Sequence, residues 1–407
     1  MNTLLDQLKA LGVELGKEKK TYKQRERIDL TEILDGDWLE TPYGRTLHVH
    51  QTLDPQAAQG NIPLKCMKIE PEVLDLFNIS QILENSAILP TQICFFDTET
   101  SSLNIGSGAF VFLTGFSHFQ EDGSVSVDQF FLPHPSEERA FIYAVQEFMS
   151  NFVILSSYNG KSFDVPMLRS RFIFNDMEDI SLEKTHLDLL FLARNLWKRR
   201  LESCRLVEIE ESILHFKRSG EDVPGWLVPI IYQDFLREGD AVPLKSVFYH
   251  NAQDVVSLAA LFNVVYSMLD REAIFPTEYP DDYASLAYLY EKLGDFENAE
   301  IYFTAYFTSL EDHADLEVMY DYAWMQRRKE NWSEAVKYWH LAAEKDHLPS
   351  MVELAKYYEH QTKDVQQALQ WLEKIKDRDP KAQELVKDDL QKRTLRLVRK
   401  VEENDEN

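Results

Sequence analysis

The chain has 407 residues, with 43 Lys plus Arg against 69 Asp plus Glu and a formal net charge of −26. This length accommodates about two or three domains of roughly 100 to 200 residues each, and the acidity excludes a protein that coats nucleic acid through a general positive field. Any phosphate binding is therefore expected to be local or mediated by metal ions.

The cysteines and the apolar runs indicate the compartment. Cys66, Cys94 and Cys204 lie far apart and form no CxxC pair, which argues against a disulfide framework and against a thiolate zinc site. The first twenty residues lack the apolar core and cleavage site of a signal peptide, and no run of about 18 apolar residues occurs. We therefore expect a cytoplasmic protein in a reducing environment, without a membrane partner.

Residues 88–268 show strands that alternate with helices, the pattern of an α/β domain. Three strands are predicted in "QICFFDT", "GAFVFLTGFSHFQ" and "SVDQFFLP", then a helix, a fourth strand in "FVILSSYNG" and long helices. This order is typical of a ribonuclease-H-like fold, a mixed five-stranded sheet flanked by helices. The preceding residues are predicted to contain a short strand pair in "TPYGRTLHVHQTLD" and a helix in "PEVLDLFNI".

The last third of the chain has no strand pattern but an internal repeat. Ala287 and Ala323, like Ala299 and Ala335, are 36 residues apart, and Ala355 follows Ala323 by 32. These spacings bracket the period of about 34 residues of tetratricopeptide repeats, although three unrelated helical hairpins would also explain them. The predicted domains are an N-terminal extension packing on the nuclease domain (1–87), the ribonuclease-H-like domain (88–268), the all-α tetratricopeptide-like repeats (276–395) and a charged tail (396–407).

Acidic residues occur at three places: the end of a predicted strand, the start of a predicted helix and the interior of a later helix. "ICFFDTETSSL" places Asp97 and Glu99 two residues apart at a strand end, so that both side chains project to one side. Asp164 in "SYNGKSFDVPML" opens a helix after the fourth strand, and Asp254 in "VFYHNAQDVVSLAALF" lies in an amphipathic helix. Each has an ordinary alternative as a strand-end residue, a helix-start acid or a solvated side chain.

In a ribonuclease-H-like sheet these three positions converge on one cleft. Four carboxylates would repel one another there unless a divalent ion neutralised them, and hard oxygen ligands select Mg²⁺ or Mn²⁺. Two such ions about 4 Å apart activate a water, orient a phosphodiester and stabilise the leaving oxygen. The positions of the acids therefore favour a metal-dependent phosphodiester hydrolase.

The motifs "FDTET", "NGKSFD" and "HNAQD" resemble, in order and spacing, those of the DEDD 3'-5' exonuclease superfamily. The stretches "THLDLLFLARNLWKRRLESCRLVEIEESIL" and "DVPGWLVPIIYQDFL" extend the likeness to the YprB-type ribonuclease-H-like proteins over about residues 38–265. Some members of that group carry a C-terminal tetratricopeptide region. The resemblance implies an exonuclease with four metal ligands: Asp97, Glu99, Asp164 and Asp254.

One position departs from the exonuclease pattern. Those families place Tyr four residues before the last Asp, or His five residues before it, whereas this chain has His250 at four and Tyr249 at five. Residues i and i+4 share a helix face, and imidazole titrates near neutral pH. We therefore expect His250 to act as the general base, with Tyr249 as the other candidate and a purely structural histidine as the alternative.

Further substrate contacts are predicted around these motifs. The predicted substrate-binding residues are Thr98, Asn159, Lys161 and Arg199. An ordinary turn Asn, a solvated Lys and a solvated basic face at residues 194–205 would explain the same pattern. His186 and Asp188 suggest a metal site only superficially, because capping and packing explain them more simply.

The sequence thus predicts a two-metal 3'-5' exonuclease acting on a single-stranded DNA or RNA end. Asp97 and Glu99 would hold the first ion, shared with Asp254, and Asp164 would help to hold the second. The helical repeats would bind a protein partner or brace the nuclease. A scaffold with an inactive ribonuclease-H-like domain, or an endonuclease on the same fold, is the alternative.

Overall fold

Seven strands form one mixed β-sheet in the computed structural model, which describes residues 29–65, 88–102, 108–180, 184–269, 274–376 and 392–399. The strands are β1 (Asp37–Thr41), β2 (Gly44–Leu53), β5 (Ile93–Thr100), β6 (Val111–Phe119), β7 (Val125–Phe131), β8 (Ile154–Ser157) and β9 (Thr185–Asp188). Their order is β1-β2-β7-β6-β5-β8-β9, and the short strands β3 (Ala58–Gln59) and β4 (Ile62–Pro63) form a separate pair. The α/β ribonuclease-H-like prediction is confirmed.

The sheet has seven strands rather than the predicted five, because the N-terminal strand pair adds two strands to the core of β5 to β9. The predicted N-terminal strand pair forms β1 and β2, and β2 pairs antiparallel with β7, where Leu47 lies opposite Phe131. This pairing satisfies the backbone groups of β7, which would otherwise form an exposed edge. "THLD", predicted to be helical, forms β9 parallel to β8.

The helices of this part of the chain cover both faces of the sheet. They are α1 (Leu30–Leu34), α2 (Glu138–Ser150), α3 (Asp164–Phe174), α4 (Leu189–Trp197), α5 (Leu206–Ile209), α6 (Val228–Glu238) and α7 (Leu244–Met268), with a π-helical turn at Glu210–Leu214. Successive strand residues point to opposite faces, so Phe95 packs against Phe262 of α7 whereas Phe96 packs in the core that includes Phe141 of α2. The long helix α7 contacts β5, β6 and β7.

The chain continues with the helices α8 (Pro280–Lys292), α9 (Phe296–Leu310), α10 (Leu316–Arg328), α11 (Trp332–Glu344), α12 (Leu348–Tyr357) and α13 (Val365–Lys376), and residues 392–399 are also helical. The five alanines that define the repeat spacing are fully buried, as close helix packing requires. The all-α character is confirmed, while the tetratricopeptide assignment and the four domain boundaries stay predictions.

Some predicted features lie outside the described residues. These are the helix at 71–79, Cys66 and most of the tail at 396–407. Across the parts of the chain that the structure describes, no helix combines the length and apolar character needed to cross a membrane.

Candidate metal centre

Asp97 and Glu99 lie on the strand β5, on the face that α7 covers. Asn251 of α7 donates a hydrogen bond to Asp97 Oδ2 at 3.0 Å, and Asn251 Oδ1 accepts from Gln129 of β7 at 2.9 Å. The strand pairing shifts by a β-bulge between Glu99 and Thr100. A buried amide chain therefore fixes the first of the predicted ligands against the sheet.

Asp164 reaches the same place from β8, because β8 is the parallel neighbour of β5. It is the first residue of α3, and its Oδ1 accepts the backbone N–H of Thr98 at 3.1 Å and also the Thr98 hydroxyl. Thr98 was predicted to contact substrate. In the structure both of its donors hold Asp164, so its observed role is positioning.

Asp254 and His250 project from adjacent turns of α7. His250 Nε2 lies 3.4 Å from Asp254 Oδ2 and 4.0 Å from Glu99 Oε1. Glu99, His250 and Asp254 each offer a ligand atom within 4.8 Å of the others. A strand end, a helix start and a late helix thus bring together the residues that the sequence predicted.

The four carboxyl groups carry more negative charge than their surroundings neutralise. Burial, followed by the charges of Asp254, Asp164 and Glu99, raises the pKa of Asp97 well above its usual range. Burial and the charges of Asp254 and Asp164 do the same to the pKa of Glu99. Burial raises the pKa of Asp164 to about 6, against hydrogen bonds from Thr98. This buried set of oxygen donors fits a divalent cation.

We expect the metal-free protein to lose stability as pH rises, through these acids. The pKa of Asp164 in the folded chain, about 6, exceeds its ordinary value of 3.8, so its contribution is full below about pH 4 and is lost as pH rises through 6. Because the pKa values of Asp97 and Glu99 are also raised, the loss of stability continues at higher pH. Melting temperatures in EDTA between pH 4.5 and 8 should fall more steeply for the native chain than for a Glu99→Gln variant. Equal slopes would contradict the expectation.

Arg218 supplies an internal cation beside this cluster. Its Nε and Nη2 each donate to Glu210 at 2.8 Å, and Nη2 also contacts Asp254 Oδ1. Glu210 is 1% exposed and accepts a hydrogen bond from Ser257 at 2.6 Å. Arg218 therefore occupies one oxygen of Asp254 and leaves Oδ2 facing His250.

Asp222, which lies in the same loop as Arg218, orients the imidazole of His250. His250 Nδ1 lies 2.7 Å from Asp222 Oδ1 and 3.1 Å from Arg218 Nη1, and these contacts hold the ring with Nε2 facing Glu99 and Asp254. The Tyr249 hydroxyl instead accepts the backbone N–H of Ser219 at 3.3 Å. His250 therefore lies beside the carboxylates, whereas Tyr249 contacts the loop at Ser219.

The second motif forms a turn held by Asp188. The N–H groups of Asn159 and Lys161 donate to Asp188 at 2.7 and 3.1 Å, and Asn159 has a left-handed backbone with φ 65°. Asp188 also caps α4 by accepting from Leu190 at 3.1 Å, which confirms its capping role. The Lys161 side chain lines a cavity of about 530 Å³ with His186 and Arg194. The Lys161 ammonium lies 5.9 Å from the centroid of the Phe191 ring, which lines the same cavity.

Arg199, predicted to contact substrate, lies against the C-terminal helices. It forms ion pairs with Asp281 at 3.8 Å and Asp315 at 3.5 Å, and the adjacent Arg200 pairs with Asp282 at 3.1 Å. The charges of both arginines are thus balanced by acids of the helical region. The structure does not bring Arg199 to the carboxylate cluster.

Gly115 opposite Asp97 is required by the close approach of α7. A Cβ at this position would lie 2.0 Å from Asn251 Oδ1, so Gly115→Ala should displace the amide that holds Asp97. We expect a cleavage rate about 100-fold lower, since displacements near 1 Å cost this much, and a stability loss of about 1–3 kcal/mol. Gly225→Ala, where a Cβ meets no atom within 4 Å, is the matched control. Unchanged cleavage in Gly115→Ala would contradict the assignment.

The comparisons with known proteins agree with this geometry. Residues 94–266 match the family model described as RNase_H superfamily, the class that the sheet order and the acidic cluster define. The chain is 32% identical over 309 residues to the uncharacterized protein YprB of Bacillus subtilis (strain 168). The aligned region covers 74% of this chain and 73% of YprB. The chain therefore belongs to the YprB family of the RNase_H superfamily.

A solved structure shows a weaker likeness. The family B DNA polymerase from the hyperthermophilic archaeon Pyrobaculum calidifontis is 15% identical, with a TM-score of 0.35, over 60% of this chain and 30% of the polymerase. At this level of similarity the likeness carries no argument about activity.

Proposed function

We propose that this protein is a metal-dependent 3'-5' exonuclease of the DEDD type, a phosphodiester hydrolase acting on single-stranded nucleic acid. The observation that carries the proposal is the convergence of four acids: burial and repulsion from the other acids raise the pKa values of Asp97 and Glu99, and burial raises the pKa of Asp164. A site with only a structural role gains nothing from so much uncompensated charge. A divalent ion would turn the same charge into binding energy.

The donor set fits Mg²⁺ or Mn²⁺. Asp97 and Glu99, with Asp254 Oδ2, would hold one ion, and Asp164 would help to hold a second. Bound ions of this kind supply a more acidic water and charge stabilisation at the leaving oxygen. The contacts of Thr98 to Asp164 and of Asn251 to Asp97 would keep the carboxylates in position before an ion arrives.

His250 would accept the proton of the attacking water at Nε2. Asp222 fixes its orientation through Nδ1 at 2.7 Å, so that the imidazole can take up charge beside a carboxylate. The Asn159–Lys161 turn is proposed to meet the substrate backbone, because the Lys161 ammonium lies at a cavity close to Asp188 and α4.

Single replacements of His250 and of Tyr249 distinguish the roles of the two residues. We expect His250→Asn to lower the rate constant of cleavage by about 100- to 10 000-fold, the usual contribution of a positioned base, with Mn²⁺ affinity reduced much less. Tyr249→Phe should stay within about threefold, because its hydroxyl only accepts from Ser219. Single-turnover cleavage measures both. The assignment fails if Tyr249→Phe is the more damaging change.

The test of the proposal is hydrolysis of single-stranded DNA and RNA labelled at the 5' end, with Mn²⁺ or Mg²⁺ against EDTA. A ladder that shortens from the 3' end, and that is absent in an Asp97→Ala, Glu99→Ala variant, supports the exonuclease. Cleavage of a circular single strand would assign an endonuclease instead. If the folded protein cleaves no substrate and metal ions do not raise its melting temperature, the result favours the scaffold alternative.

Two further proposals concern the helical region and the location of the protein. The fully buried alanines at the repeat spacing support tetratricopeptide-like repeats over residues 276–395, which we propose bind a protein partner or brace the nuclease. A cytoplasmic location is proposed from the cysteine usage.

A further inference from the structure

Three histidines surround a buried carboxylate on three adjacent strands. His48 and His50 project from β2, Asp128 from β7 and His118 from β6. Asp128 lies opposite His50 on one side and opposite Phe116 on the other. Phe116 packs in the core on the α2 side of the sheet, whereas Asp97 faces α7. The histidine cluster is therefore on the opposite face from the acidic site.

His48, His50 and Asp128 each offer a ligand atom within 4.8 Å of the others, and His118 lies beside the second oxygen of Asp128. His48 Nε2 and His50 Nδ1 are each 2.9 Å from Asp128 Oδ1, and His118 Nε2 is 3.6 Å from Asp128 Oδ2. Ligands at about 2.0–2.1 Å from a tetrahedral zinc ion are about 3.3 Å from one another. The observed separations bracket that value, so an ion would enter after small movements of the side chains.

Neighbouring groups hold each ligand in orientation. The second nitrogen of His50, Nε2, bonds Thr52 Oγ1 at 3.1 Å, and Ser126 Oγ donates to Asp128 Oδ2 at 2.7 Å. The His48 ring stacks on Phe130 with centroids 4.7 Å apart. Such outer contacts, which fix the ring and the tautomer, are characteristic of metal-binding histidines.

We propose that His48, His50, Asp128 and His118 form a binding site for a transition-metal ion of the zinc type, separate from the acidic centre. Imidazole nitrogens with one carboxylate suit Zn²⁺, whereas the all-oxygen set around Asp97 suits Mg²⁺ or Mn²⁺. The ion joins β2 to β7 and β6. It thereby clamps the N-terminal hairpin, whose strand β2 pairs with β7.

The experiment uses the tag-free full-length chain carrying Glu99→Gln and Asp254→Asn, so that Zn²⁺ cannot bind at the acidic centre. After removal of metal with EDTA, the protein is titrated with Zn²⁺, and with Co²⁺ as a visible-absorption probe. We expect one equivalent per chain, cobalt bands typical of nitrogen ligation and a melting temperature higher by about 5 °C at saturating Zn²⁺.

The ligand variants are His50→Gln and His48→Gln, compared with His134→Gln in an exposed turn. His50 is 49% exposed, so its replacement leaves the core intact; circular dichroism checks this. Both variants should lower Zn²⁺ affinity at least about 100-fold, and His134→Gln should not. Absence of stoichiometric Zn²⁺ binding, or binding unchanged in both variants, overturns the proposal and leaves a hydrogen-bonded cluster. Mn²⁺-dependent cleavage by the otherwise native chain should persist in His50→Gln, so this result stands apart from that of the proposed nuclease.

Discussion

Replacement of Asp97 by Asn should lower metal-dependent cleavage at least about 1000-fold, which corresponds to about 4 kcal/mol of transition-state stabilisation. Asp97 is half-buried and faces the charges of Glu99, Asp164 and Asp254, and the amide removes a negative charge without changing the shape of the side chain. The melting temperature in EDTA should not fall, because repulsion is relieved and an amide oxygen still accepts from Asn251. Initial cleavage rates and thermal scans of the same preparations measure both effects.

The control for this change is Glu121→Gln, which removes one negative charge at an exposed turn between β6 and β7. It should leave cleavage within about twofold, since a distant exposed charge is screened. An Asp97→Asn protein that retains cleavage within tenfold of the native rate would contradict the role of this residue. A large fall in its melting temperature would show instead that Asp97 supports the fold.

Replacement of Arg218 by Met should destabilise the protein by about 3–5 kcal/mol. The guanidinium is 8% exposed and is the cation that pairs with Glu210 and Asp254. Without it, Glu210, which is 1% exposed, keeps a buried charge or must take up a proton. Chemical denaturation at pH 7.5 measures the loss in the free energy of unfolding.

Two comparisons make this result specific. Arg237→Met breaks an ion pair with Asp234 in which both side chains are at least half exposed, and it should cost less than about 1 kcal/mol. Adding Glu210→Gln to Arg218→Met removes the stranded charge and should recover about half of the loss. A cost for Arg218→Met no larger than that for Arg237→Met would show that this buried network contributes little.

The central strands of the sheet were predictable because their signal is local. The apolar run before Asp97, the hairpin turn at 121–123 and the helix that follows β7 all follow from periodicity and turn residues. The addition of β2 to β7 was not predictable, because it depends on pairing between segments about 80 residues apart, such as Leu47 with Phe131. Four residues of β9, followed directly by a helix, give too short a pattern to identify as a strand.

The four acids were predicted as metal ligands because their motifs occur in a family order, whereas the residues that contact them were not predicted. Arg218 and Asp222 lie in the polar stretch "HFKRSGED", which has no periodicity and no motif. Only the folded chain brings them to Asp254 and His250. The cluster at His48 and Asp128 was missed because the pairing of β2 with β7, which brings His48 and His50 to Asp128, was not predictable from the sequence.

The most direct test of the central claim is calorimetric titration of Mn²⁺ into the full-length protein and into an Asp97→Asn, Glu99→Gln variant. We expect two Mn²⁺ ions to bind per native chain, with an affinity that increases from pH 6 to pH 8 as the carboxyl groups deprotonate. The variant should lose this binding. Native protein that binds no Mn²⁺, or a variant that binds it equally well, would contradict a metal centre at these carboxylates.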